Sequence, residues 1–188
     1  RIDKETSGLL VVAKNNFTHS ALGKQFSDHS IQRKYVALVW GVLRPLKGTI
    51  ETFITRSKKN RQLMTTDDFR GKKAITKYSI QKVFNKRNIP KISLIEFELE
   101  TGRTHQIRVH MIHKGTSLLG DQKYRKRNMK FKRIDKTFEE ILSSFNGQVL
   151  HASTLGFIHP RKLERVEFKT KLPSKFKKLI DYLENLKN

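Results

Sequence analysis

The chain opens on a polar turn, residues 1–8, that runs into the apolar stretch Leu9, Leu10, Val11, Val12 and Ala13. An unbroken apolar run behind a turn predicts a buried strand over 9–14, with Gly8 letting the turn close. From 18 to 28 the period changes: Ala21, Leu22, Gln25 and Phe26 share one helical face, and Thr18 is placed to cap it. Residues 33–41 are rich in β-formers and end at Gly41, which predicts a central strand with Tyr35 at its start. After a turn marked by Pro45 and Gly48, Ile50, Thr52 and Ile54 alternate along a strand over 49–55. Further strands are predicted at 63–65 and 74–84, around a turn at 67–71. The stretch 91–100 is another strand whose alternation shifts near Ile95, which predicts a bulge there.

Beyond residue 100 the helical period returns. Thr104 is placed to cap a helix with Ile107, Met111 and Ile112 on one face, ended by Gly115, so that Arg108 rides on a helix rather than a loop. A short helix over 137–145, a closing hairpin of 150–158 with 165–171, and a terminal amphipathic helix over 174–186 complete the pattern. Phe176, Leu179, Ile180 and Leu183 face inward on that last helix. There is no internal repeat and no linker. The pattern predicts one α+β domain over 1–188, a mixed, mostly antiparallel sheet with peripheral helices.

Charge changes this picture most. Lys and Arg number 40 against 17 Asp and Glu, a formal net charge of +23. Such an excess attracts polyanions and makes nucleic acid the expected partner. An AT-rich genome, which inflates Lys, accounts for abundant Lys better than for scarce acidic residues. Two segments concentrate the charge. The run 56–61 reads equally as a solvated hairpin tip or as a phosphate contact, while 123–133 interleaves Tyr124 and Phe131 with cations, a combination suited to single-stranded RNA. With no cysteine there is neither a disulfide nor a thiolate site, which fits a reducing, cytoplasmic setting. No apolar run approaches the roughly 20 residues needed to span a bilayer, so no membrane partner is expected. His105 and His110 are five apart, outside the usual metal-ligand spacings, and no phosphate-cradling or dinucleotide glycine motif occurs. No metal or cofactor is implied.

Asp3 is the carboxylate that the opening turn presents. Taken alone it reads as a turn former that caps backbone amides. The surrounding string Arg1-Ile2-Asp3-Lys4-Glu5-Thr6-Ser7-Gly8-Leu9-Leu10-Val11-Val12-Ala13-Lys14, however, resembles the signature of the RluA family of RNA pseudouridine synthases. Thr101-Gly102-Arg103-Thr104-His105-Gln106-Ile107-Arg108-Val109-His110 and Gly120-Asp121-Gln122-Lys123-Tyr124 resemble that family's later motifs, in the same order. Arg33-Lys34-Tyr35-Val36-Ala37-Leu38-Val39-Trp40-Gly41 matches as well.

The resemblance implies a cofactor-independent enzyme with a cleft across its sheet. It makes Asp3 the catalytic nucleophile, Arg108 its salt-bridge partner, and Tyr35 the ring that packs against a flipped base and assists proton transfer. Whether Asp3 attacks ribose or base stays open. Arg1 is implied to fill the space the base vacates, with Arg103, His105 and Gln106 as contacts to phosphate or base. Asp121, Tyr124 and His151 are implied to support the cleft. Large-subunit ribosomal RNA is the expected substrate; transfer RNA, or a silent role in ribosome assembly, are the alternatives. A monomer is expected. Because the family signature begins one residue before Arg1, an upstream segment is expected too, such as an S4-like RNA-binding domain. Ser117 and Arg125 depart from the family pattern at the cleft rim and bear on substrate choice.

Overall fold

The β-branched and aromatic runs pair into one sheet that carries helices on both faces. The computed structural model describes residues 2–125 and 134–186. Its elements in chain order are β1 (Ser7–Gly8), α1 (Asn16–Ser27), β2 (Gln32–Trp40), β3 (Lys47–Arg56), β4 (Met64–Asp67), β5 (Lys72–Phe84), β6 (Ile92–Leu99), α2 (Gln106–His113), α3 (Lys136–Ser143), β7 (Leu150–Ile158), β8 (Arg165–Lys169) and α4 (Ser174–Asn185). The strands run β1-β7-β2-β6-β5-β3-β4, and β8 pairs with β7 beyond β1. All pairings are antiparallel except the parallel contact of β1 with β7. This is the α+β architecture the sequence predicts.

β2 is central because alternate residues are wanted on both faces. Ala37 and Val39 join Ile95, Phe97, Ile107 and Met111 on the α2 side. Leu38 and Trp40 join Phe138, Phe176, Leu179 and Leu183 on the side of α3 and α4. The inward set on α4 is the predicted one, and each member is buried. At about 1.5–3 kcal/mol per fully buried large apolar side chain, that face holds α4 on the sheet.

Several local expectations change. Residues 9–14 form no strand: half-buried Leu9, Val11 and Ala13 alternate with exposed Leu10, Val12 and Lys14. Only one layer, the Leu22, Ile31, Leu155 and Phe157 cluster, covers this edge, so half of the apolar run stays in solvent. Asn15, not Thr18, caps α1, its side chain accepting from the Thr18 N–H at 2.9 Å. β6 keeps its register past Ile95; the irregularity lies on β5, where Gln81 is extra between Ile80, opposite Ile95, and Lys82, opposite Leu94. The shift in alternation on β6 instead reflects apolar cover on both faces, with Ile92 and Ile95 in different clusters. The N-cap of α2 is His105, which makes no side-chain cap bond, rather than Thr104, and Ile112 is partly exposed.

A buried polar bridge ties α2 to the sheet. His110 Nε2 lies 3.0 Å from Thr52 Oγ1 and Nδ1 lies 2.8 Å from Thr76 Oγ1. Burial, helped by His113, pushes the His110 pKa down to about 4. The neutral ring is therefore favoured in the folded state, while the unfolded chain protonates near the ordinary 6.5. Stability from this site is complete above pH 6.5 and is lost as pH falls from there to about 4, on the order of 3 kcal/mol. Urea unfolding of the wild type against His110→Gln should show that excess loss in the wild type alone; parallel pH curves would mean another group takes the proton.

Candidate active site

The turn that presents Asp3 is fixed from three sides. Thr6 N–H donates to the Asp3 carbonyl at 3.1 Å, and Glu5 adopts a left-handed φ of 67°. Gln148 Nε2 donates to the Lys4 carbonyl at 2.7 Å and to Thr6 Oγ1 at 2.9 Å. Ser7 Oγ lies 2.9 Å from His151 Nδ1, which gives His151 the supporting place expected of it. Gly8, at φ 108°, runs so close to β7 that a Cβ would stand 2.2 Å from the Ala152 carbonyl oxygen. Only glycine fits there, and the turn follows β7 as a consequence.

Arg108 rises from the first turn of α2 to meet Asp3. Nη1 is 3.2 Å from Asp3 Oδ2, while Nε and Nη2 make a paired contact with Asp121 at 2.7 and 2.9 Å. The Arg108 side chain is 6% exposed, that of Asp121 0% and that of Asp3 18%. Asp121 therefore orients the guanidinium from behind, and Asp3 is the carboxylate left facing solvent. Burial opposes the charge on Arg108, but Asp121 and then Asp3 raise its pKa above the usual value. Asp121 Oδ1 also accepts from the N–H groups of Lys123 and Tyr124, and the Tyr124 ring lies 4.8 Å under the guanidinium.

Tyr124 sets the state of His105. Its hydroxyl accepts from the Met64 N–H at 2.7 Å and lies 2.7 Å from His105 Nδ1. With that backbone donor already on the oxygen, the hydroxyl proton goes to Nδ1, and the neutral imidazole carries its own proton on Nε2. Burial, followed by the opposing pull of Asp3, leaves the His105 pKa below the usual value. His105 is also the left-handed residue, φ 57°, from which α2 starts. Tyr35 stands on β2 between Phe97 and Ala152. Burial raises its pKa, Arg33 partly opposes and Asp3 adds, so the phenol keeps its proton at neutral pH.

Asp3, Tyr35, His105, Arg108, Arg103 and Arg33 line one open cavity of about 290 Å³. That is the low end of the size range of small-molecule pockets and suits one nucleotide-sized group. Arg103 lies at the rim, its Nε donating to the Lys73 carbonyl at 2.8 Å. Gln106 differs from expectation. It is 3% exposed, and its amide is engaged by Thr101 Oγ1, the Arg103 N–H, the Ile75 carbonyl and Thr76 Oγ1, all within 3.0 Å. Its polar capacity goes to holding the 101–106 turn on β5 rather than to a ligand. Arg1 and most of the basic segment 123–133 lie outside the described residues.

Arg33 is the cavity residue that motif reading passes over. The period-two rule places it on the Tyr35 face, a signal the sequence carries. Its residue exposure is 7%, and burial, partly opposed by Tyr35 and reinforced by Arg103, lowers its pKa.

The chain is similar to known proteins over nearly its whole length. The family described as RNA pseudouridylate synthase matches residues 1–113. An uncharacterized RNA pseudouridine synthase, YlyB, of Bacillus subtilis is 47% identical over 97% of this chain and 54% of its own length. The ribosomal large subunit pseudouridine synthase D of Zymomonas mobilis is 46% identical over 97% of this chain and 55% of its own. Among solved structures, human RNA pseudouridylate synthase domain containing 4 superposes with a TM-score of 0.73 at 23% identity, covering 100% of this chain and 76% of that one. The chain thus spans about half the length of the curated relatives it matches. Family match, relatives and fold agree, and the chain belongs to the RNA pseudouridylate synthase family.

Proposed function

We propose that this chain is the catalytic domain of an RNA pseudouridine synthase that isomerises a uridine of large-subunit ribosomal RNA without a cofactor. The observation that carries the reading is the Asp3–Arg108–Asp121 chain, which aims one carboxylate into a nucleotide-sized cavity of a strongly basic protein. Isomerisation breaks the N1–C1′ bond, turns the base and forms C5–C1′; C5 loses a proton and N1 gains one. Attack at C1′ or at the base asks the same of the protein, a positioned carboxylate with its counter-charge fixed behind it. Asp3 is that nucleophile and Arg108 the counter-charge. The neutral Tyr35 packs against the turned-out base and is placed to pass a proton. His105 Nε2–H offers a fixed donor to a uracil carbonyl, and Arg103 offers a cation to the backbone at the rim. Unstacking the uridine costs a few kcal/mol, which contacts to the extruded nucleotide offset.

Two curated relatives, from Zymomonas mobilis and Haemophilus influenzae, carry the name ribosomal large subunit pseudouridine synthase D, at 46% and 40% identity, and support the choice of RNA. The test is tritium release from 5-labelled uridine, with mapping of the product, on unmodified ribosomal and transfer RNA. Product in large-subunit RNA is expected. Product only in transfer RNA would move the substrate, and no product on either would leave the protein a binding factor.

A further inference from the structure

The cavity contains a second buried guanidinium, and no carboxylate among the described residues forms an ion pair with it. Arg33 Nη2 donates to the carbonyls of Leu99 at 3.3 Å and Glu100 at 2.9 Å, near the end of β6. Among the described residues, its Nε is buried without a partner and Nη1 donates to no protein group. The Phe26 ring covers one face of the guanidinium at 5.6 Å, and Gly102 closes against it. A Cβ at Gly102 would stand 2.3 Å from Nη1. Gly102 has a backbone conformation open to any residue, so it is this side chain, not backbone strain, that needs a glycine. Taking a cation out of water without a partner is costly. By contrast Arg108, across the same cavity, has two carboxylates.

We propose that Arg33 binds a backbone phosphate of the uridine turned into the cavity, and that Gly102 is small so that Nη1 can reach it. This deepens the proposed function and rests on it. A phosphodiester supplies the missing negative charge: Nη2 is held by the two carbonyls and Nε is closed off beside it, so a free phosphate oxygen meets the Nη1 donor. Rim cations such as Arg103 are solvated and contribute to general attraction. Arg33 is pre-oriented by two carbonyls and a ring, so it fixes where the nucleotide stops.

The test is equilibrium binding of a large-subunit ribosomal RNA fragment to the full-length protein as a function of salt, with thermal melting alongside. Arg33→Met should weaken binding about tenfold and lower the slope of log affinity against log salt by about 0.7, one phosphate contact on a single strand. Arg33→Lys should keep the slope. Gly102→Ala should reproduce the slope loss with little change in melting temperature, because the displaced atom is the end of a flexible side chain, and should add nothing to Arg33→Met. With the target uridine mapped, a neutral methylphosphonate beside it should weaken the wild type but not Arg33→Met. Additive effects of methylphosphonate and Arg33→Met, or an unchanged salt slope in Arg33→Met and Gly102→Ala, would overturn the proposal and leave Arg33 a clasp on the β6 carbonyls. Binding is read apart from turnover, so a wild type that binds but forms no pseudouridine overturns the function and not the contact.

Discussion

Asp3→Asn will stop pseudouridine formation while leaving RNA affinity unchanged or improved. Asn is the same size and still accepts a hydrogen bond from Arg108 Nη1, now 3.2 Å from the Asp3 carboxylate. Arg108 itself stays in place because its paired contact is with Asp121. The turn stays as well, since the bonds that close it run through the Asp3 carbonyl, Gln148 and Thr6 rather than through the carboxylate. Only nucleophilicity and one negative charge are removed. Loss of a nucleophile from a preorganised site costs on the order of 10⁴-fold or more in rate. The lost charge faced the phosphates of the incoming strand, so its removal favours binding. Tritium release and filter binding on the same ribosomal fragment read both effects, and melting temperature should move little. Retention of more than a few per cent of turnover would remove Asp3 from the chemistry. Simultaneous loss of folding and binding would make it a structural residue of the turn.

What the sequence made legible follows from the range over which each signal acts. α4 could be read because burial is imposed on it every 3.6 residues, and β2 because cover on both faces asks for a continuous run of β-formers. The 9–14 run misled because apolarity reports a tendency to be covered, not the presence of a pairing strand. At that edge β7 has already paired with β1 and then with β8. The cap of α1 was misplaced because several polar residues compete for one backbone amide and only packing chooses among them, and the start of α2 because the chain enters it through a left-handed His105 with no side-chain cap. In the site, the Asp3, Tyr35 and Arg108 positions came from motifs. The partition of labour did not. Nothing local distinguishes Gln106, whose amide is fully engaged inside the protein, from His105 next to it, whose Nε2 is left to the cavity. Arg33 was hidden for a related reason: its neighbours Leu99, Glu100 and Gly102 are more than 60 residues away in sequence.

Asp121→Asn should be the more damaging change to the fold and should also slow catalysis, through Arg108. The Asp121 side chain is completely buried and makes four contacts, two to the guanidinium and two to backbone N–H groups. Asn can keep the backbone contacts through its carbonyl. Its NH₂ then faces a guanidinium N–H, donor against donor, beside a buried charge that has lost its main partner. Breaking one side of a buried pair costs about 3–5 kcal/mol. The guanidinium also loses the bidentate grip that fixes its plane, so its end toward Asp3 wanders. Misplacement by about 1 Å near a reacting group costs about 10²-fold, so kcat should fall by that scale with KM little changed. Arg108→Met separates the two effects. Alone it strands Asp121 as a buried charge and destabilises by a similar amount. In that background Asp121→Asn removes the stranded charge, so the same substitution becomes stabilising, while activity stays lost. Urea unfolding of the two single variants and the double variant measures the reversal of sign. If Asp121→Asn destabilises equally in both backgrounds, Asp121 serves the 121–124 turn and not Arg108, and the positioning of the counter-charge must be sought in Tyr124, whose ring lies 4.8 Å beneath it.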